Sequence, residues 1–266
     1  MPELPAHAKI NLALVVGPTR PDGKHEVTTV LQRIGLRDRI ELERSDALRV
    51  EGFAGDTLVT RALELLADAA GTVPAWSVRI EKHIPVASGL GGGSSDAAAA
   101  LLLANETLDQ PLDPPALRTL AARLGADVPY FLAEGPQLGQ GDGSELSPLD
   151  LRCDYSLVLV LPHGAAKQST GAVYAAFDAR AGHEGYAQRR AALLAAVAAG
   201  DVAAFPPNDL ATSPLAADLR ALGAFRADVS GAGPVVYGLF DDPDAARQAA
   251  AALAGRGRTW VELAAC

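Results

Sequence analysis

Polar and apolar residues alternate over residues 8–16, where Lys9 and Asn11 interleave with Ile10 and Leu12. This period of two predicts a strand that carries both polar side chains on one face. The Gly- and Pro-rich residues 17–23 predict a turn. Extended segments are predicted over 25–35, 39–42 and 48–50, and again over 76–80. Leu58, Ala62, Leu65 and Leu66 recur at helical spacing within 57–70. The alanine- and leucine-rich run 95–108 predicts a helix buried on most sides, and 114–124 a second one ended by Gly125. Residues 135–143 read as a glycine-rich connection. Beyond it, the apolar run 155–161 predicts a buried strand. Helices follow over 170–180, 187–199, 215–222 and 244–253, with strands over 235–240 and 259–262. Strands and helices interleave without a clean alternating repeat, and the best break lies near residues 145–153.

Composition narrows the function. The 266 residues are 49% hydrophobic, enough for one large domain or two modest ones. Only 5% are aromatic, so the core must rest mainly on Leu, Val and Ala. The formal charge of −9 argues against a nucleic-acid backbone or an anionic membrane as partner. It leaves open one phosphorylated small molecule, because a local field can oppose the net charge. Two cysteines, Cys153 and Cys266, are too few for a disulfide framework or a thiolate zinc site. No histidine pair has the H-E-x-x-H spacing, and no metal-ligand set is assigned. Residues 1–10 hold no long apolar segment, so the expectation is a cytoplasmic protein; separately, a monomer or weak homodimer is expected.

The most informative stretch is Pro85-Val86-Ala87-Ser88-Gly89-Leu90-Gly91-Gly92-Gly93-Ser94-Ser95-Asp96. Its glycines expose several backbone N–H groups just before a helix N-terminus, which adds its own unpaired N–H groups and a positive dipole end. This is a nest suited to phosphate, or else a tight turn without a ligand. The stretch lacks the lysine of G-x-x-x-x-G-K-[ST] and does not fit G-x-G-x-x-G or G-x-S-x-G. Lys82, just upstream, either neutralises phosphate or caps the nucleotide, or is a solvated lysine at a strand end.

Three blocks carry a family resemblance. They are A-K-I-N-L at 8–12 with R-P-D-G-K-H-E at 20–26, the glycine block 85–98, and L-G-A-D-V-P-Y-F at 124–131. Ser169-Thr170, Asn208-Asp209-Leu210 and Ser230-Gly231-Ala232-Gly233-Pro234 add late support. Together they cover nearly the whole chain in order, and the chain resembles the GHMP kinase superfamily. Within it, the branch that phosphorylates the 2-hydroxyl of a cytidine-diphosphate-linked methylerythritol, in non-mevalonate isoprenoid synthesis, is the nearest match.

The resemblance implies an α+β fold of two domains, here 1–150 and 151–266. It also implies a left-handed βαβ crossover in the first domain and an active site in the interdomain cleft. ATP and Mg2+ are the implied cofactors. For ATP it implies Lys82, Pro85, Gly89, Gly91, Gly92, Gly93, Ser94 and Ser95, with Ser94 or Ser95 also touching phosphate or magnesium. Asp127 corresponds to a catalytic aspartate that takes the hydroxyl proton or positions the alcohol, and Lys9 to an active-site lysine that stabilises charge. Taken alone, Asp127 also reads as a helix cap and Lys9 as a surface strand lysine. Asn11, His25, Thr170 and Tyr174 correspond to substrate contacts, His25 at the cytosine end. Taken alone, they also read as local backbone, surface or helix-packing residues.

Two positions depart from the family pattern. Lys24 stands where the family usually has a tyrosine that stacks on cytosine. A lysine offers only its methylenes to the base and an ammonium to the diphosphate, so Lys24 is kept as a substrate-binding candidate. Thr57 stands where an asparagine near adenine is usual. Two alternatives remain beside the cytidyl-substrate kinase: a GHMP kinase acting on another small alcohol, and a non-catalytic nucleotide-binding protein.

Overall fold

The computed structural model describes residues 1–53, 57–165 and 169–265. Asp56, which precedes Thr57, and Cys266 lie outside the described residues. The chain folds into two compact units. Unit 1 comprises Met1–Ala8, Leu36–Val86 and Gly91–Glu134; unit 2 comprises Lys9–Gly35, Ala87–Leu90 and Gly135–Cys266.

Two long strands, β1 (Glu3–Thr19) and β2 (His25–Arg44), pair with each other and contribute residues to both units. The sequence pattern predicted shorter pieces. They merge because the polar run Arg37-Asp38-Arg39 does not break the strand: Asp38 is fully buried and its carboxylate is satisfied inside the fold.

In unit 1, β3 (Arg49–Glu51) leads through helix α1 (Leu58–Ala70) to β4 (Trp76–Glu81). Strands β3 and β4 lie parallel with Val50 opposite Val78, so α1 is the crossover helix of a βαβ unit. Strand β4 runs antiparallel to the last part of β2, with Ile40 opposite Ile80, which makes the sheet mixed. Helices α2 (Gly92–Glu106) and α3 (Pro114–Leu124) pack with α1. Helix α1 buries Val59, Ala62, Leu63 and Leu66 along one stripe and ends at Gly71. Helix α2 instead buries residues almost all round, including Ala97, Ala98, Ala99, Ala100, Leu101 and Leu103. It starts at Gly92, three residues before the predicted start, because two glycines that read as loop on propensity are helical here.

In unit 2, β5 (Gln137–Gln140), inside the stretch 135–143 expected to be a connection, and β6 (Glu145–Pro148), at the start of the expected break, form a hairpin. It pairs with β2 at Val30 opposite Leu138. Then follow β7 (Ser156–Pro162), α4 (Thr170–Ala179), α5 (Tyr186–Ala199), α6 (Pro214–Ala221), β8 (Arg226–Val229), β9 (Val236–Phe240), α7 (Pro243–Leu253) and β10 (Gly257–Ala265). The antiparallel order β10-β7-β9-β8 packs against α6 and α7 through Val158, Val160, Leu219, Phe240 and Leu253. The class is α+β, as the resemblance implied. Among the described residues no helix is long and apolar enough to cross a membrane.

Candidate active site

Strand β1 places Lys9 and Asn11 on one face of unit 2, as its alternation predicted. Both are buried, with 4% and 5% of their surface exposed. Lys9 Nζ donates to Asn11 Oδ1 at 2.6 Å, and Asn11 Nδ2 donates to Thr29 Oγ1 at 2.8 Å. The Thr29 hydroxyl passes its hydrogen to the Ala13 carbonyl at 2.7 Å. This chain runs in one direction, so the Asn11 amide cannot flip without setting donor against donor. Asn11 therefore orients the Lys9 ammonium rather than merely capping local backbone.

The glycine stretch meets this face. Lys9 N donates to Leu90 O at 2.9 Å, and Ser230 Oγ donates to Gly89 O at 2.9 Å. Val235 N donates to Ser88 O at 3.1 Å. Gly89 has φ +85°, and a Cβ built there would stand 2.1 Å from the Ser230 carbonyl oxygen. Only glycine admits both the conformation and the contact. Gly231 lies as close to Lys9 and Asn11: its Cβ would stand 3.5 Å from Lys9 Nζ and 3.3 Å from Asn11 Oδ1. Asn208 Nδ2 holds the Gly231 carbonyl at 2.7 Å and that of Val229 at 2.9 Å. The 230–235 loop thus braces Ser88 and Gly89.

In unit 1, Gly91 caps α2 with φ +71°, and no side chain caps this end. The first N–H groups of the helix, at Gly92, Gly93 and Ser94, have no partner within the helix and remain available to an anion. Gly93 is exposed, Gly92, Ser94 and Pro85 are half-buried, and Ser95 is buried. Lys82 lies against this turn: a Cβ at Gly92 would stand 3.3 Å from its Nζ.

Lys82 is not the solvated lysine that the sequence left open. Its ammonium sits 2.5 Å from Asp38 Oδ2 and 2.7 Å from Asp96 Oδ2, and both carboxylates are fully buried. Asp38 Oδ1 also accepts from the backbone N–H of His83 at 2.5 Å and of Ile84 at 2.8 Å, so one side chain holds the exit of β4 toward the glycine stretch. Burial works against the Lys82 charge, but Asp96 and Asp38 outweigh it and raise its pKa. Burial pushes the Asp96 carboxyl up to about 7, with Asp38 adding repulsion and Lys82 opposing it. Asp96 Oδ1 is buried without a hydrogen-bond partner.

The sign of the pH effect follows. A carboxyl raised from 3.8 to about 7 binds its proton more tightly in the folded state. Its contribution to stability is therefore lost as pH rises through that window. Asp96→Asn is expected to raise the thermal midpoint over the unsubstituted protein more at pH 8 than at pH 5, by calorimetry. An equal offset at both pH values would contradict this.

Asp127 follows α3 in unit 1, two residues past Gly125, and is half-buried. The next element is the short 3-10 helix Pro129–Leu132, which begins after Val128.

In unit 2, His25 Nε2 lies 2.8 Å from Asp178 Oδ1. The His25 ring meets Tyr174 at 4.8 Å between centroids and Phe177 edge-on at 5.9 Å. Thr170 is exposed at the start of α4, and Ser169 is the cap, accepting from Ala172 N at 3.1 Å. The Thr170 hydroxyl is thus not spent on capping. Lys24 pairs with Asp142, in the turn between β5 and β6. Partial burial opposes the Asp142 charge, but hydrogen bonds from Lys24 and Ser144 outweigh it and hold the carboxyl at about 2. In unit 1, Thr57 sits at the cap position of α1 and makes no side-chain cap bond.

Sequence reasoning did not assign roles to Asp38, Asp96, Asp142 or Asp178. Asp96 was quoted within the glycine stretch, and its place in a helix otherwise rich in buried alanine and leucine was the available signal. Asp38 carried none, because it stands between two arginines like a surface residue.

The chain matches the model of the GHMP kinases N terminal domain over residues 57–135 and that of the GHMP kinases C terminal domain over 211–259. It is 41% identical over 269 residues to the 4-diphosphocytidyl-2-C-methyl-D-erythritol kinase of Pelotomaculum thermopropionicum, covering 92% of this chain and 91% of that one. It is 41% identical over 276 residues to the kinase of the same name from Nocardia farcinica, covering 95% and 89%. A crystal structure of 4-(cytidine 5'-diphospho)-2C-methyl-D-erythritol kinase superposes with a TM-score of 0.83 at 34% identity over all of both chains. Mevalonate kinase from L. major, at 16% identity and a TM-score of 0.72, shares the fold. With identity of this extent along nearly the full length of both chains, the protein belongs to the GHMP kinase superfamily of ATP-dependent small-molecule kinases.

Proposed function

We propose that this kinase transfers the γ-phosphoryl group of ATP to the 2-hydroxyl of 4-diphosphocytidyl-2-C-methyl-D-erythritol, in non-mevalonate isoprenoid precursor synthesis. The observation that carries the reading is the 41% identity, over 92% of the chain, to a relative named for that substrate. The division into 1–150 and 151–266 is kept as a proposed family description, with one matched family segment on either side of it.

Asp127 takes or holds the hydroxyl proton, and Lys9 stabilises the negative charge that develops on that oxygen. Asn11 orients Lys9 through the 2.6 Å hydrogen bond. Residues 89 and 91–95 offer backbone N–H and serine hydroxyl groups to the ATP phosphates. Lys82, already flanked by two carboxylates, sets the helix start and brings at most its remaining N–H to phosphate. Magnesium would neutralise charge on the phosphate oxygens. Among the described residues no cluster of three His, Cys, Asp or Glu side chains could hold a metal. A bound magnesium would be held by ATP phosphates and water, with Ser94 or Ser95 adding a hydroxyl.

His25 and Tyr174 receive the cytosine, and Thr170 donates to the substrate. Tyr174→Ala is expected to raise KM for the cytidyl substrate about tenfold or more, the worth of one ring stack, with kcat little changed. Steady-state kinetics with ATP saturating checks this, and an unchanged KM would remove Tyr174 from the pocket. A second reading, a GHMP kinase for another small alcohol, is favoured by Lys24 alone, whose ammonium is engaged by Asp142. ATP consumption measured with the cytidyl substrate beside mevalonate, homoserine and galactose separates the two. Turnover with a control alcohol but not the cytidyl substrate would overturn the proposed substrate.

A further inference from the structure

His25 has two ring nitrogens, and the fold commits one of them. A carboxylate only accepts hydrogen bonds, so a 2.8 Å contact between Asp178 Oδ1 and His25 Nε2 requires the hydrogen on Nε2. In the neutral ring, Nδ1 then carries a lone pair. The ring cannot turn freely to exchange the two, because Tyr174 covers it at 4.8 Å and Phe177 abuts it edge-on at 5.9 Å. Among the described residues the His25 ring hydrogen-bonds through Nε2, and Nδ1 is not one of the buried polar atoms without a partner, so Nδ1 is open to a ligand.

Resting on the reading that this pocket receives the base, we propose that Asp178 is a positioning residue for base selectivity. It fixes His25 with Nε2 protonated and Nδ1 as an acceptor, so the pocket selects a base with an amino group at its edge. Cytosine has a single donor at its pairing edge, the 4-amino group, and uracil has a carbonyl oxygen in that place. Nδ1 therefore faces the 4-amino group of cytosine and meets a second lone pair in uracil. Asp178 never touches the base; it acts through His25.

The test titrates the full chain with CDP and with UDP at pH 8 by calorimetry, in the unsubstituted protein and in Asp178→Ala and Asp178→Asn. The unsubstituted protein is expected to prefer CDP by about tenfold, on the order of one satisfied against one opposed hydrogen bond. Asp178→Ala frees both tautomers and should bring the ratio to within about twofold, chiefly by weakening CDP. Asp178→Asn keeps an acceptor oxygen and should retain part of the preference. A loss of packing alone would weaken both nucleotides equally. Nitrogen-15 NMR of the His25 ring reads the tautomer directly, with Nε2 expected to carry the hydrogen. A protein that binds CDP and UDP alike fails the cytidyl reading, and this inference with it. A CDP preference that survives in Asp178→Ala, or a hydrogen on Nδ1, overturns this inference alone.

Discussion

Asp127→Asn is expected to lower kcat by about two to four orders of magnitude while KM for ATP and for the alcohol stays within about threefold. Asparagine keeps the size and hydrogen-bonding shape of aspartate but cannot accept the hydroxyl proton or hold a negative charge. If Asp127 removes the proton, the loss falls on the chemical step. If it only orients the alcohol, asparagine should keep part of that role, and the loss should fall at the lower end of the range. Asp127 lies between α3 and the following 3-10 helix, so the Tm of Asp127→Asn, read beside its kinetics, separates any local structural loss from a loss in the chemical step. Steady-state kinetics with both substrates varied checks this. A raised KM with intact kcat would end the catalytic assignment.

Gly89→Ala is expected to have the second largest effect, on both stability and nucleotide affinity. The methyl group would stand 2.1 Å from the Ser230 carbonyl oxygen and 3.1 Å from its carbon, so backbone must move. A left-handed φ at a non-glycine residue costs about 1–3 kcal/mol before any clash is counted. Movement would also strain the bond from Ser230 Oγ to Gly89 O, which ties the two loops together. A loss of about 3 kcal/mol, or roughly 6–12 °C in Tm, is expected, together with a raised KM for ATP. A variant with the Tm and KM of the parent would contradict the account of this loop.

Periodic features were legible in the sequence, and pairings across long separations were not. The two-residue period of β1 put Lys9 and Asn11 on one face, and they are hydrogen-bonded there. Of the helically spaced Leu58, Ala62, Leu65 and Leu66, only Ala62 and Leu66 lie on the buried stripe of α1, which Val59 and Leu63 complete. Propensity misplaced the start of α2, because Gly92 and Gly93 are held in helix by their surroundings. It also hid the β5–β6 hairpin, because short strands around Gly139, Gly141 and Gly143 look like loop. His25 and Tyr174 were both candidates, but nothing local shows that their rings meet across 149 positions of chain. Lys24 was a candidate to cover the base with its methylenes or to approach the diphosphate with its ammonium, and its pairing with Asp142 depends on the return of the β5–β6 turn, which nothing local announces. Asp38 was the least legible, since a charged residue buried in a strand is the exception that binary patterning passes over.

The most direct test of the proposed activity is the identity of the product. The unsubstituted protein should be incubated with ATP, magnesium and 4-diphosphocytidyl-2-C-methyl-D-erythritol, and the product analysed by mass spectrometry and phosphorus-31 NMR. The account predicts one added phosphate, present as a monoester coupled to the 2-position while the diphosphate signals are retained. Unmodified substrate beside an active reaction on another alcohol, or phosphate on a different hydroxyl, would contradict it.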